Sequence, residues 1–162
     1  MRYTLIIWLL ALFPLTVPSA IADEEATITP PTDIMIAYMA AQREYLKRAA
    51  ATEGQWLNED LTDLDRFQNL IDNGRFDTED TRLMQSIGIF IGDRLNEATY
   101  GNFRWSIYED NLGRTRALCL RDATPCVFPV TLVSRRAEGG ADIDLRKLYN
   151  DTLHRLQQVT IE

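Results

Sequence analysis

The residues with the most chemistry to offer in this 162-residue chain are cations set against an acidic background. Lys and Arg number 17, Asp and Glu 24, for a formal charge of −7. Within that background Arg114 and Arg116 alternate along one stretch, and Arg135 and Arg136 stand side by side further on. An arginine fork grips a carboxylate with two parallel hydrogen bonds. A patch gathered from these four residues would therefore suit an acidic protein, a peptide carboxylate or an anionic glycan. Glu109, Asp110, Asp122 and Glu138 lie close enough in sequence to consume the same cations as surface ion pairs, which are common and individually weak. The acidic balance argues against nucleic acid, whose binding needs many cations to displace counterions. It argues equally against docking on anionic lipid.

Catalytic constellations are harder to assemble. His154 is the sole histidine, so one chain cannot build a site that needs two. It lies near Lys147, Asp151 and Arg155, with none of the partner and pocket a general base requires. Ser86, Ser106 and Ser134 sit outside any G-x-S-x-G elbow. There is no P-loop, G-x-G-x-x-G or H-E-x-x-H motif. Asp60, Asp63 and Asp65, like Asp77, Glu79 and Asp80, lack the spacing of a calcium loop. They read as acids at helix starts, where the helix dipole favours them. Glu109 and Asp110 could form an acid pair, but a solvated turn fits better. The expectation is no catalytic residue, no metal and no cofactor.

Cys119 and Cys126 flank a short segment, Leu120 to Pro125. If that segment closes a loop between two antiparallel strands, the cysteines face each other within reach of a disulfide. The alternative is two small buried thiols. The spacing is not that of a redox-active C-x-x-C pair.

Met1 to Ala22 reads as a secretory signal peptide: Arg2 at the start, the apolar stretch LIIWLLALF, then Ala20-Ile21-Ala22 before acidic Asp23. Cleavage is expected between Ala22 and Asp23. The apolar run is too short to span a bilayer, which takes about 20 residues. No stable membrane anchor is therefore expected after cleavage, and a periplasmic location would favour the disulfide.

Residues 23–32, with Pro30-Pro31, read as an extended linker, and 33–162 as a single α+β domain. Apolar spacings of three and four predict a helix from Ile34 to about Thr52, and another from about Asp60 to Asn73. A third should start at Asp77 or Thr78 and run through Leu95. This third helix is apolar nearly all round and so must be buried on several sides. Gly88 and Gly92 share one of its faces, and each weakens a helix by about 1 kcal/mol relative to Ala. Close approach of another backbone would offset that. From Phe103 the period becomes alternating. The segments 103–108, 114–120 and 126–134 predict an antiparallel meander of about three strands, with Pro129 marking an edge or a bulge. Asp142 or Asp144 should cap a closing C-terminal helix. Ile87, Phe90, Ile91, Trp105, Ile107, Phe128 and Leu148 are the expected core, with Trp56 and Leu57 plugging its edge.

Several of these segments together carry a resemblance. Gln42-Arg43-Glu44-Tyr45, I-G-I-F-I-G-D-R-L within Leu83–Leu95, and Trp105 with Tyr108-Glu109-Asp110 come first. Gly113-Arg114, Phe128-Pro129, Ser134-Arg135-Arg136 and Asp144-Leu145 follow. The sequence resembles the bacterial domain-of-unknown-function 3806 family over roughly Gln42 to Tyr149. The resemblance implies a small bacterial α+β domain and brings no activity. It also implies a Lys/Arg-rich strand end at Arg135-Arg136, and it makes the cysteine pair a departure from the family's pattern.

Three functional classes follow. The first is a non-catalytic periplasmic interaction module, an immunity or inhibitor protein being one version, whose partner is another envelope protein. The second is a small-molecule carrier or sensor with an apolar pocket lined by Trp56, Phe90, Trp105 and Tyr108. The third is a hydrolase using Glu109 and Asp110. Composition and motifs favour the first.

Overall fold

The computed structural model describes residues 26–121 and 123–160. The signal segment, the Ala22–Asp23 junction and Asp122 lie outside these residues. The elements run β1 (Thr27–Thr29), α1 (Asp33–Thr52), α2 (Thr62–Asp72), α3 (Thr81–Ala98) and β2 (Phe103–Asp110). They continue with β3 (Gly113–Leu120), β4 (Ala123–Val127), α4 (Pro129–Glu138) and α5 (Leu145–Thr160). The strands form one antiparallel sheet in the order β1-β2-β3-β4. Helices and strands occupy separate stretches of the chain, which is an α+β arrangement.

Short polar side chains set the helix starts. The Thr32 hydroxyl accepts the Met35 N–H at 3.3 Å, and Asp144 accepts the Lys147 N–H at 2.8 Å. Asp80, not Asp77 or Thr78, caps α3, accepting the Leu83 N–H at 2.9 Å. Asp77 instead closes the preceding turn through the Glu79 N–H at 2.8 Å. Asp63 is more than a helix-start acid. It is fully buried and accepts the N–H groups of Asn58 at 3.1 Å and Glu59 at 2.7 Å. That grip holds Glu59 at φ 61°, a conformation unusual for a residue with a side chain.

Two expectations change. Thr27–Thr29, inside the expected linker, pairs with Ile107–Glu109 as an edge strand. The expected third strand from Cys126 to Ser134 splits: Ala123–Val127 pairs with β3, and Pro129 opens a helix. Proline suits a helix's first position because its missing N–H would have no partner there. Val130, Val133, Ser134 and Ala137 fit a helical face, while Phe128, Val130 and Leu132 fit alternation, so periodicity alone could not decide a segment this short.

The third helix is buried as expected, with Ile87, Ile89, Ile91 and Leu95 wholly inaccessible. Its glycines permit two close approaches. A Cβ on Gly88 would lie 2.5 Å from the Pro129 carbonyl oxygen and 2.7 Å from the Val130 Cα. A Cβ on Gly92 would lie 2.2 Å from the Trp105 ring. One contact is therefore with the backbone of α4, the other with an indole rising from β2. Phe103, Trp105 and Leu118 join the helices in one core. Ile87, Phe90, Ile91, Ile107 and Leu148 are buried as expected, while Trp105 and Phe128 are half-buried. Of the two residues expected to plug the core edge, Leu57 packs against the core, while Trp56 is 82% exposed and does not.

Candidate functional site: an arginine groove beside the sheet edge

The helical period of α4 turns Val130, Val133 and Ser134 inward. Thr131 and Arg135 then share an outer face one turn apart, with Leu132 and Arg136 beside them. Between this face, the end of β4 and the start of α5's second half lies a groove of about 470 Å³. Val127, Phe128, Pro129 and Leu132 give it an apolar floor, and Arg135, Arg136 and Arg155 stand at its rim. A second hollow of about 410 Å³ lies on the other side of Phe128 and Thr131, where Arg114 and Arg135 meet Tyr108. Arg135 borders both. Tyr108 and Phe128 meet edge to face at 5.1 Å, forming the ridge between them.

Arg114, Arg135 and Arg136 make no ion pair or side-chain hydrogen bond among the described residues. Glu109 is Arg114's register partner across the hairpin, yet the two do not pair. Asp110 accepts the Leu112 N–H at 2.9 Å and serves the turn. Arg155 is anchored to its own helix, donating to the Asp151 carbonyl and the Thr152 hydroxyl, both at 3.3 Å. Asp151 is the nearby acid. The Lys147 ammonium, 2.8 Å away, holds its carboxyl below the ordinary aspartate range, and Arg155 and Arg136 pull the same way.

Arg116 does not join this surface. It lies opposite Ile107 in the sheet register, and its guanidinium turns to the helices. It donates to the Gln42 side-chain carbonyl and, at 3.4 Å, to that of Gln85. It also lies 5.4 Å from the Tyr38 ring centroid. Burial pushes its pKa down. Two amide oxygens and a ring face thus hold a half-buried cation that ties β3 to α1 and α3. Arg155 takes its place in the cluster. Nothing in the linear spacing could have found Arg155, because only the tertiary fold brings the last helix beside α4.

The four aromatic residues expected to line a pocket disperse. Phe90 is in the core, Trp105 fills the space left by Gly92, Tyr108 meets Phe128, and Trp56 is in solvent. His154 is exposed, its ring nitrogen 3.0 Å from the Gln158 amide. Among the described residues no three His, Cys, Asp or Glu side chains are grouped to hold a metal ion, and no helix is long and apolar enough to cross a membrane. Cys119 and Cys126 are joined as a disulfide across β3 and β4, with their Cα atoms 4.1 Å apart, and Cys126 borders the groove.

Several residues that carried the family resemblance converge away from the groove. Arg43 grips Asp93 with two hydrogen bonds of 2.7 and 2.8 Å. The Trp105 indole N–H donates to the same carboxylate at 2.9 Å. Helix α1, helix α3 and the sheet are joined at that one acid.

A family model described as "Domain of unknown function (DUF3806)" matches residues 63–149, more than half of the chain. The match begins at Asp63, so Gln42–Tyr45 lie outside it even though Arg43 reaches into it through Asp93. No curated protein matches the chain. A crystal structure at 1.50 Å from Bacteroides thetaiotaomicron VPI-5482 is similar, with a TM-score of 0.69 and 16% identity. The likeness covers 79% of this chain and 47% of that one, so the chain spans about half the length of that protein. At this identity the likeness shows the fold.

Proposed function

The chain belongs to the DUF3806 family, and from that premise we propose that it is a non-catalytic interaction module working in the periplasm. Its partner is an acidic envelope protein that docks on the arginine face around α4. An immunity or inhibitor protein is one concrete form. The observation that carries this reading is that Arg114, Arg135 and Arg136 face solvent together with no ion pair among the described residues, although the chain's formal charge is −7. Charge of this kind steers association and selects partners. The cross-strand disulfide supports the location, since such bonds persist in oxidising compartments.

The test is capture from a periplasmic extract by the tagged chain, expressed with its own leader. Fractionation and N-terminal sequencing in the same preparation check for export and a first residue of Asp23. One stoichiometric acidic partner, lost when Arg135→Glu and Arg136→Glu are combined, is the expected result. A folded sample that retains nothing, or retains the same partner despite the double reversal, overturns the reading.

A further inference from the structure

Three features of the groove beside α4 bear on what it holds. Its cations come from two helices, Arg135 and Arg136 from α4 and Arg155 from α5, so the groove offers more than one guanidinium to a carboxylate-bearing ligand. Its floor is continuous and apolar from Val127 through Pro129 to Leu132, and an anion alone would leave that surface wet. Its volume, about 470 Å³, lies in the range of small-ligand pockets and takes a few side chains rather than a whole domain face.

We propose that the groove between β4, α4 and α5 binds an extended acidic peptide segment, two or more of whose carboxylates meet the arginines while an apolar side chain rests on the floor. This rests on the reading of the molecule as a module for an acidic protein and names the part of that protein it grips. The bound segment fits through charge complementarity at the rim and area burial at the floor. Arg155 is already positioned by its contacts with Asp151 and Thr152, so little order has to be imposed on binding.

The test uses the full chain and a short fluorescent peptide alternating Glu and Leu. Saturable binding is expected, falling about tenfold with Arg136→Gln and again with Arg155→Gln, as loss of one charge-assisted contact predicts. Arg48→Gln, which removes an exposed cation of α1 outside both the groove and the neighbouring hollow, should leave binding unchanged. A peptide alternating Gln and Leu should bind far more weakly, and neither inorganic phosphate nor vesicles rich in anionic lipid should compete. No binding, binding indifferent to both groove variants, or full displacement by phosphate or vesicles would overturn the proposal. The two readings separate through Arg155→Gln in the capture experiment. If the envelope partner is still retained by that variant but lost on reversing Arg135 and Arg136, the docking face stands and the groove is not its grip.

Discussion

The two faces of α4 obey different rules. The inner face is fixed by contact. Pro129 and Val130 press their backbone onto Gly88 so closely that a methyl group would not fit, and Val133 is wholly buried. The outer face is fixed by little. Thr131, Leu132, Arg135 and Arg136 follow from the helical period and border open space. One face decides where the helix sits, and the other is open to solvent. A ten-residue helix can thus carry both roles because 3.6 residues per turn separate them cleanly.

The largest effect should come from closing the inner contact. Gly88→Ala ought to gain up to about 1 kcal/mol of helix propensity and lose more, since the Pro129 carbonyl cannot retreat without moving α4. Overpacking costs about 1–3 kcal/mol and occasionally more; with backbone rather than a flexible side chain 2.5 Å from the new Cβ, a net loss of about 3 kcal/mol is expected. Gly92→Ala should behave alike, because the Trp105 ring it meets is held to Asp93. Urea unfolding checks both. A neutral or stabilising Gly88→Ala would show that α4 is looser on α3 than its position implies, and the contrast between faces would fail.

Next comes the disulfide, which fastens the strand leading into α4. Replacing Cys119 and Cys126 by Ala should cost about 2.5 kcal/mol, the chain-entropy value for a loop this short. Because Cys126 borders the groove, peptide binding should weaken too. Unchanged binding in a destabilised variant would show that β4 is no part of the outer face.

How much of this was legible in the sequence depended on whether short-range pattern or tertiary placement decided the outcome. The Gly88–Gly92 pair announced a close approach, because two glycines four apart in an apolar helix need compensation. It could not say that one neighbour would be a helix backbone and the other an indole. The cysteine pair was readable because a cross-strand bridge needs only local geometry. Arg116 departs from the expectation because alternation says which residues share a strand face but not how far the helices cover it: at Arg116 that face looks at Gln42 and Gln85, while Arg114 on the same face is exposed. Trp56 was misplaced because a tryptophan in a connection has no period to betray its exposure. The stretch after Cys126 was ambiguous for a physical reason: ten residues with apolar ones at mixed spacing satisfy both a strand and a helix. Only packing against Gly88 breaks the tie.

A smaller effect separates an acid that serves the fold from one that sits by the groove. Asp80 caps α3 and accepts the Tyr45 hydroxyl at 2.6 Å. Burial raises its pKa, but the Tyr45 hydroxyl and the N–H groups of Leu83 and Arg82 outweigh that and leave it below the ordinary value. A carboxyl lowered in the folded state contributes stability above its unfolded pKa and loses it as pH falls through the folded one. The Tyr45 hydroxyl is raised, chiefly by the same hydrogen bond, so its contribution holds below the unfolded tyrosine pKa and is lost as pH rises through the folded one. Asp80→Asn keeps a capable cap and removes the charge. Melting curves should show the variant less stable near neutrality, with a flatter loss towards both acid and alkali. A variant with the parent's full acid slope would assign that slope to other carboxyls.

The smallest effect is the most local. Asp151 is solvent-exposed and held low first by Lys147 and then by Arg155 and Arg136, the two cations that border only the groove described here and not the hollow at Arg114. Arg136→Gln and Arg155→Gln should each leave stability within about 0.5 kcal/mol, as surface changes away from packed contacts do. Each should also let the Asp151 pKa rise towards the ordinary aspartate value, because one attractive charge has gone. An acidic peptide in the groove should raise it further in the parent chain, since it brings carboxylates to the same cations. NMR titration of the Asp151 carboxyl follows both steps at one atom. A pKa that responds to the arginine variants but not to the peptide would place the peptide elsewhere on the surface. A pKa that responds to neither would show that Asp151 is governed by Lys147 alone and that the outer face of α4 does not act on α5.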